Sequence, residues 1–367
     1  MNVLDSKIPR SYFVGLAIFA LLNIFIINVF LLKFTAPFSS DSEGYAMTAQ
    51  YFRGEAAPVA QRLLKPLMPF FIAISSYVFG LKASFLFLNS IFYFLIAFVI
   101  FKIVKLMFDD DKQAFIASVL FLASYPMLEY GITYMTDLAS WFFCALSIYL
   151  TLVFLKEPRY KWIILNGLIC LAGFLTKEYA AVGILFFFIC LFFIYKGDFL
   201  QKIKYLAVYG LFFAPVFLAW QAFVYFKFHF SYFDWFSLGR AELYKEQLVQ
   251  VVAKSLGATF LLGWLLVFAG VLKIKKMANE NKKILLALFA PSLLPLLWIG
   301  ASSRLFYVIA FLLCIFASFG MVNLGNWVHK TYAYALLLTI ILAGNYFWLI
   351  YDDGLRLLIN GLFKITY

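Results

Sequence analysis

The stretch LLKPLMPFFIAISSYVFG, residues 63–80, decides how the chain is threaded. It is apolar enough to enter a bilayer but falls short of the ~20 apolar residues that a crossing helix needs. Pro66 and Pro69 interrupt it, and a lipid-exposed helix has no water to satisfy the backbone groups that proline releases. The stretch therefore reads as a piece lying along the membrane surface. Charge counting narrows the choice. With the N-terminus inside and this piece not crossing, more than half of the 30 Lys and Arg fall in cytoplasmic loops. The same holds with the N-terminus outside and the piece crossing. Crossing with the N-terminus inside leaves only about a third there, which the positive-inside rule excludes. Of the two survivors the first is preferred, because it also gathers the polar segments on one face.

Outward from this stretch the chain is almost wholly apolar. Of 367 residues 65% are hydrophobic and 13% charged, with mean hydropathy +0.94. A soluble domain is about half apolar and roughly a quarter charged, so a water-soluble or disordered protein is excluded. The 47 Phe and 21% aromatics suit lipid-facing helices and interfacial belts. The expected fold is an all-α integral membrane protein of about eleven transmembrane helices, a single transmembrane domain over residues 1–367. Three polar segments are expected outside: residues 33–82 with juxtamembrane helices, residues 126–137, and residues 227–254. The span cores are free of charge, unlike those of ion-coupled transporters. One span, Ala114–Tyr125, must borrow from its flanks. The net charge of +12 is explained by loops facing anionic lipid, with no basic segment able to fold around nucleic acid. Cys144, Cys170, Cys190 and Cys314 lie in apolar runs without CxxC spacing and read as buried thiols. With only two His and no HExxH, a zinc hydrolase is all but excluded.

The chemistry must come from the polar segments. The first contains Phe38-Ser-Ser-Asp-Ser-Glu-Gly-Tyr45. Tyr45, Ala49 and Phe52 recur at helical spacing, so a short helix is expected from near Ser42, with Ser40 and Glu43 as a capping box. Asp41 is then either an ordinary acid at a helix N-terminus or a surface carboxylate able to act as a general base. Arg62 and Lys65 sit one turn apart just before the apolar stretch. They serve either as interfacial anchors or as a clamp on a lipid phosphate, the guanidinium bidentate and the ammonium a point charge. Asp137 ends the second segment at the mouth of a span. Lys177-Glu178 occupies a turn between two spans, where simple solvation is the plain reading, and Arg304 is a lone charge between two later spans. Asp234, Trp235 and Arg240 of the third segment could cover a site. Asp41 and Asp137 together would suit Mg²⁺ or Mn²⁺ with phosphate oxygens completing the shell.

In this order and on one face, the blocks resemble the GT-C class of polytopic glycosyltransferases that use polyprenyl-phosphate-linked sugars, such as the protein mannosyltransferase and lipid A aminoarabinose transferase families. The resemblance rests on Asp41 and Tyr45 after one span, and on Gly54 and Arg62-x-x-Lys-Pro66 leading to Phe79-Gly80. Asp137 closing the second loop, and Gly167-x5-Gly173-x-Leu-Thr-Lys177 ending a later span, complete it. No His-Pro-Pro stands in the first loop, a departure from the protein mannosyltransferases. The resemblance implies a catalytic role for Asp41, a second acid in Asp137 that helps the acceptor or a divalent ion, and donor-phosphate binding by Arg62, Lys65, Lys177 and Arg304 with Tyr45 beside them. It implies a lipid-linked sugar donor, an acceptor that is a lipid, glycan or protein, and a site outside what the compact size makes a bacterial inner membrane. A lipid or sugar-lipid carrier without transferase activity is the alternative; the charge-free cores and lack of inverted repeats weigh against it.

Overall fold

The computed structural model describes residues 8–29, 36–242, 257, 260–294, 307–328, 336–348 and 351, and among them there is no β-strand. Among the described residues four helices are long and apolar enough to cross a membrane: α1 (Arg10–Val29), α5 (Leu81–Phe108), α8 (Asp137–Lys156) and α11 (Phe199–Phe228). At 1.5 Å per residue, 20 residues match the ~30 Å hydrocarbon core. Shorter apolar helices fill the bundle, among them α4 (Leu67–Phe79), α9 (Tyr160–Phe174) and α10 (Ala180–Ile189). A π-helical turn, Cys190–Ile194, runs on from α10.

α5 packs against α1, α6 (Asp111–Leu122) and α8, while α8 holds α9 and α10 and α9 packs on α11. The core of large buried rings, Tyr93, Phe101, Phe121 and Trp141, lies along α5, α6 and α8. α1 and α11 expose Leu21, Phe25, Leu218 and Phe226, the surface that hydrocarbon accepts. Polar side chains link helices inside: Asn166 Nδ2 donates to Thr151 Oγ1 at 3.0 Å, joining α9 to α8. Gly270 and Gly320 bring the helices Gly263–Leu272 and Tyr307–Val328 into backbone contact. A Cβ on either would strike the carbonyl of Phe316 or Leu266. All four cysteines are buried free thiols.

Two sequence expectations shift. The segment Ala114–Tyr125 is not one apolar rod: α6 runs Asp111–Leu122, capped by Asp110 accepting from the Gln113 N–H at 3.0 Å. It stops before a separate turn, α7 (Tyr125–Tyr130), which carries Pro126 in its first turn. The break is satisfied from outside the helix. Tyr93 OH donates to the Leu122 carbonyl at 2.6 Å and Asn345 Nδ2 to that of Ala123 at 2.7 Å. In the first polar segment α2 spans Ser40–Phe52, earlier than Ser42, and the expected Ser40–Glu43 box is replaced by Ser39, whose Oγ accepts from the Ser42 N–H at 3.3 Å.

The stretch that opened the reading forms α3 (Ala60–Leu63) and α4. Pro66 caps α4 and Pro69 lies in its first turn, where the missing N–H has no partner to lose. With 13 residues α4 is about 20 Å long. It gathers with α2, α3, α7, the start of α8 and the end of α11 at one end of the bundle.

Candidate active site

The segment carrying Arg62 and Lys65 is strapped in place by three hydrogen bonds from distant parts of the chain. Trp220 Nε1 and Gln221 Nε2 of α11 donate to the carbonyls of Leu63 (2.8 Å) and Leu64 (3.2 Å). The Leu67 N–H donates to the Leu175 carbonyl at 2.9 Å, tying the start of α4 to the end of α9. Leu63 and Leu64 pack with Val224, Trp220, Phe228 and Tyr232 in a cluster of their own. Two cations are thereby held inside protein: Arg62 is 5% exposed and Lys65 1%. Buried charges persist only when paired, and each has a carboxylate. Arg62 Nη2 donates to Asp41 Oδ1 at 2.7 Å, and Lys65 pairs with Glu178. The indole of Trp235, from α12 (Tyr232–Glu242), covers both, 5.6 Å from the guanidinium and 4.8 Å from the ammonium.

A third pair completes the arrangement. Lys177 Nζ donates to Asp137 Oδ1 at 2.8 Å, and Asp137 is fully buried. Lys177-Glu178 is therefore not a solvated turn: the two neighbours point to different partners, one to α8 and the other to the approach of α4. The second loop is fixed in turn by Asn89 Nδ2, which donates to the carbonyls of Thr133 (2.7 Å) and Met135 (2.9 Å).

Tyr45 stands between these pairs. Its ring lies 4.5 Å under the Arg62 guanidinium, and Arg62 Nη1 approaches its hydroxyl at 3.4 Å. Burial alone would push the Tyr45 phenol up. The charges of Lys177, Arg62 and Lys65 outweigh that burial against Asp137 and hold the phenol below its ordinary value. Burial would likewise lower Arg62, but Tyr45 and Asp41 keep it above its ordinary value and charged. Asp41 differs from the rest. Its side chain is 38% exposed, and with Glu129, Thr133 and Tyr134 it lines a cleft of about 240 Å³. The end of the bundle thus sets the partly exposed Asp41, with Glu129 in the wall of the same cleft, in front of three enclosed cations.

The sequence model of the dolichyl-phosphate-mannose-protein mannosyltransferase family matches residues 63–220, the stretch from Leu63 through Lys177 to Trp220. Among solved structures, ArnT from Cupriavidus metallidurans superposes with a TM-score of 0.63 at 12% identity, over 86% of this chain and 60% of that one. The oligosaccharyltransferase of Archaeoglobus fulgidus in its apo form gives 0.58 at 12% identity, over 94% and 55%. The fold is GT-C. The chain spans less than two thirds of the length of either neighbour. Among curated proteins no sequence matches it.

Within the GT-C fold, six of the seven expected site residues, Asp41, Tyr45, Arg62, Lys65, Asp137 and Lys177, stand at one end of the bundle. The seventh, Arg304, lies outside the described residues, as does the 243–254 part of the third polar segment. The same oligosaccharyltransferase with Zn and sulfate is a further neighbour (TM-score 0.51, 12% identity, 90% of this chain and 52% of that one). Asp41 and Asp137 do not fit a shared divalent ion here. Each is matched by its own cation, and among the described residues no group of three His, Cys, Asp or Glu converges. Sequence reading missed Glu178 as the partner of Lys65, and it missed Gly44, whose added Cβ would lie 3.1 Å from Arg62 Nε. It named Trp235 only as part of a covering segment. A lone glycine in a polar loop carries no signal by itself; only the fold brings Arg62 against it.

Proposed function

We propose that this protein is a glycosyltransferase that moves a sugar from a polyprenyl-phosphate carrier to an acceptor hydroxyl at the outer face of a bacterial inner membrane. The observation that carries the reading is the burial of Arg62 and Lys65 side by side behind an accessible Asp41. Enclosed cations facing an open carboxylate suit a reaction in which a phosphate gains charge while a hydroxyl loses its proton. α11 supplies a path for the tail. Pro215, Val216, Ala219, Trp220 and Phe223 line an open, wholly apolar groove, and Trp220 also holds the carbonyl next to Arg62.

The donor phosphate lies against Arg62 and Lys65, with Lys177 adding to the positive field and the Tyr45 hydroxyl able to donate a hydrogen bond. An acceptor hydroxyl in the cleft gives its proton to Asp41 and attacks the anomeric carbon from the side opposite the phosphate, inverting it. The bond from that carbon to the phosphate oxygen breaks, and the leaving polyprenyl phosphate gains a negative charge that the cations stabilise more in the transition state than before it. Five guanidinium donors let Arg62 hold Asp41 and a phosphate oxygen together. Asp137 keeps Lys177 aimed and takes no proton. Lipid, glycan and protein acceptors all present such a hydroxyl.

The test is release of free lipid phosphate from a panel of polyprenyl-phosphate sugars by the purified chain, with and without chelator. Asp41→Asn is expected to lower transfer by at least ~10²-fold, the scale of a lost general base, while membrane insertion is unchanged. Full activity in Asp41→Asn refutes the assignment.

A further inference from the structure

At the end of the bundle opposite Asp41 lies a second cavity, of about 450 Å³. α5 and α8 begin beside the candidate active site and end here, at Leu106 and Met107 of one and Lys156 of the other. The 20 residues of α8 place the two sites about 30 Å apart, the thickness of a bilayer core. Lys156, Lys196 and Lys283 line it, from three separate stretches of the chain, with Glu280 as the one acid in its wall. The rest of the wall includes Leu152, Leu155, Ile194 and Ile284. Acids do neutralise lysines elsewhere at this end: Lys105 pairs with Asp109 and Asp111. The three around the cavity leave an excess of two positive charges over Glu280.

Local backbone geometry points the same way. α10 ends in the π-helical turn Cys190–Ile194, closed by the Tyr195 N–H donating to the Cys190 carbonyl at 2.8 Å. The wider turn inserts a residue into the helical register and delivers Tyr195 and Lys196 to the cavity wall. Lysines converging over apolar side chains at the depth of a headgroup match a lipid phosphate, with acyl chains running down the aliphatic wall.

We infer that this cavity binds the phosphate headgroup of an anionic phospholipid in the leaflet opposite the candidate active site. The site takes no part in the chemistry proposed for Asp41, and its test does not depend on transfer activity. The full chain in detergent is titrated with phosphatidylglycerol, phosphatidylcholine and inorganic phosphate, with binding read by native mass spectrometry and by the shift in melting temperature. Phosphatidylglycerol is expected to bind at one site and phosphatidylcholine not to. The triple variant Lys156→Gln, Lys196→Gln, Lys283→Gln is expected to bind roughly a hundredfold more weakly, at about a decade or less per lysine near an anionic surface. The variant Lys204→Gln, Lys275→Gln, Lys276→Gln removes the same charge outside the cavity and is expected to keep the site. Equal loss in both variants, or equal binding of the two lipids, overturns the inference. So does displacement of the lipid by inorganic phosphate at the same site, which would make free phosphate the ligand. Lys196→Glu, at an exposed rim position, replaces the triple variant if that fails to fold, and unweakened binding by it likewise overturns the inference.

Discussion

Tyr45 shows how much of this site is decided one side chain at a time. Its phenol is held below the ordinary value by Lys177, Arg62 and Lys65 against burial. An acid whose pKa is lower folded than unfolded adds stability that is present above the unfolded value, about 10 for tyrosine, and lost as pH falls through the folded value. Relative to Tyr45→Phe, the wild-type chain is therefore expected to gain stability as pH climbs towards 10. Phenolate absorbance should develop earlier in the wild type by one tyrosine, and superimposable titration curves for the two proteins would show that the cations do not act on Tyr45. None of this could be read along the chain. Asp41, Tyr45, Arg62 and Lys65 were legible as residue types suited to phosphate and proton transfer, but their partners were not. Glu178 is 113 positions from Lys65, and no periodicity links them. The cap failed for a smaller reason: Ser39, Ser40 and Ser42 compete for the same helix end, and hydroxyl spacing alone does not choose among them.

Among the elements, α3 and the start of α4 owe their position to α11. Their few turns are too short to be stable alone, so the hydrogen bonds from Trp220 and Gln221 fix where Arg62 and Lys65 stand. Trp220→Phe keeps an aromatic ring but leaves the carbonyl of Leu63, a residue 1% exposed, without its donor, at a cost of about 1–3 kcal/mol. Thermal unfolding should move down accordingly, and the KM for the proposed lipid-linked donor should rise several-fold while kcat changes less. A variant with unaltered melting and KM would show that α11 does not position the cations. The prolines of residues 63–80 were readable as an argument against a long helix. That they instead start one was not, because Pro66 and Pro69 at a helix entrance and within a helix look alike until the entrance is known. The same holds for residues 114–125, where hydropathy continues through a break that Tyr93 and Asn345 make affordable from other helices.

For the molecule as a whole, composition alone announced a helical membrane protein, since nothing else accommodates so few charges. It left unassigned which ends of the helices share a surface, and the lengths of α5 and α8 provide that. Because all four native cysteines are buried, a single introduced cysteine reports cleanly. A membrane-impermeant maleimide is expected to label Asp41→Cys from one side of sealed vesicles and Glu280→Cys only from the other. Asp137→Cys, at a fully buried position, should label only after unfolding. Labelling of positions 41 and 280 from the same side would contradict the arrangement of the bundle across the membrane.

Lys177 and Glu178 act as a yoke. Consecutive along the backbone, they are harnessed to Asp137 on one flank and Lys65 on the other, so the entrance of α8 and the approach to α4 are coupled through a single peptide unit. An anion that drew Lys65 away from Glu178 would pull on the same turn that aims Lys177.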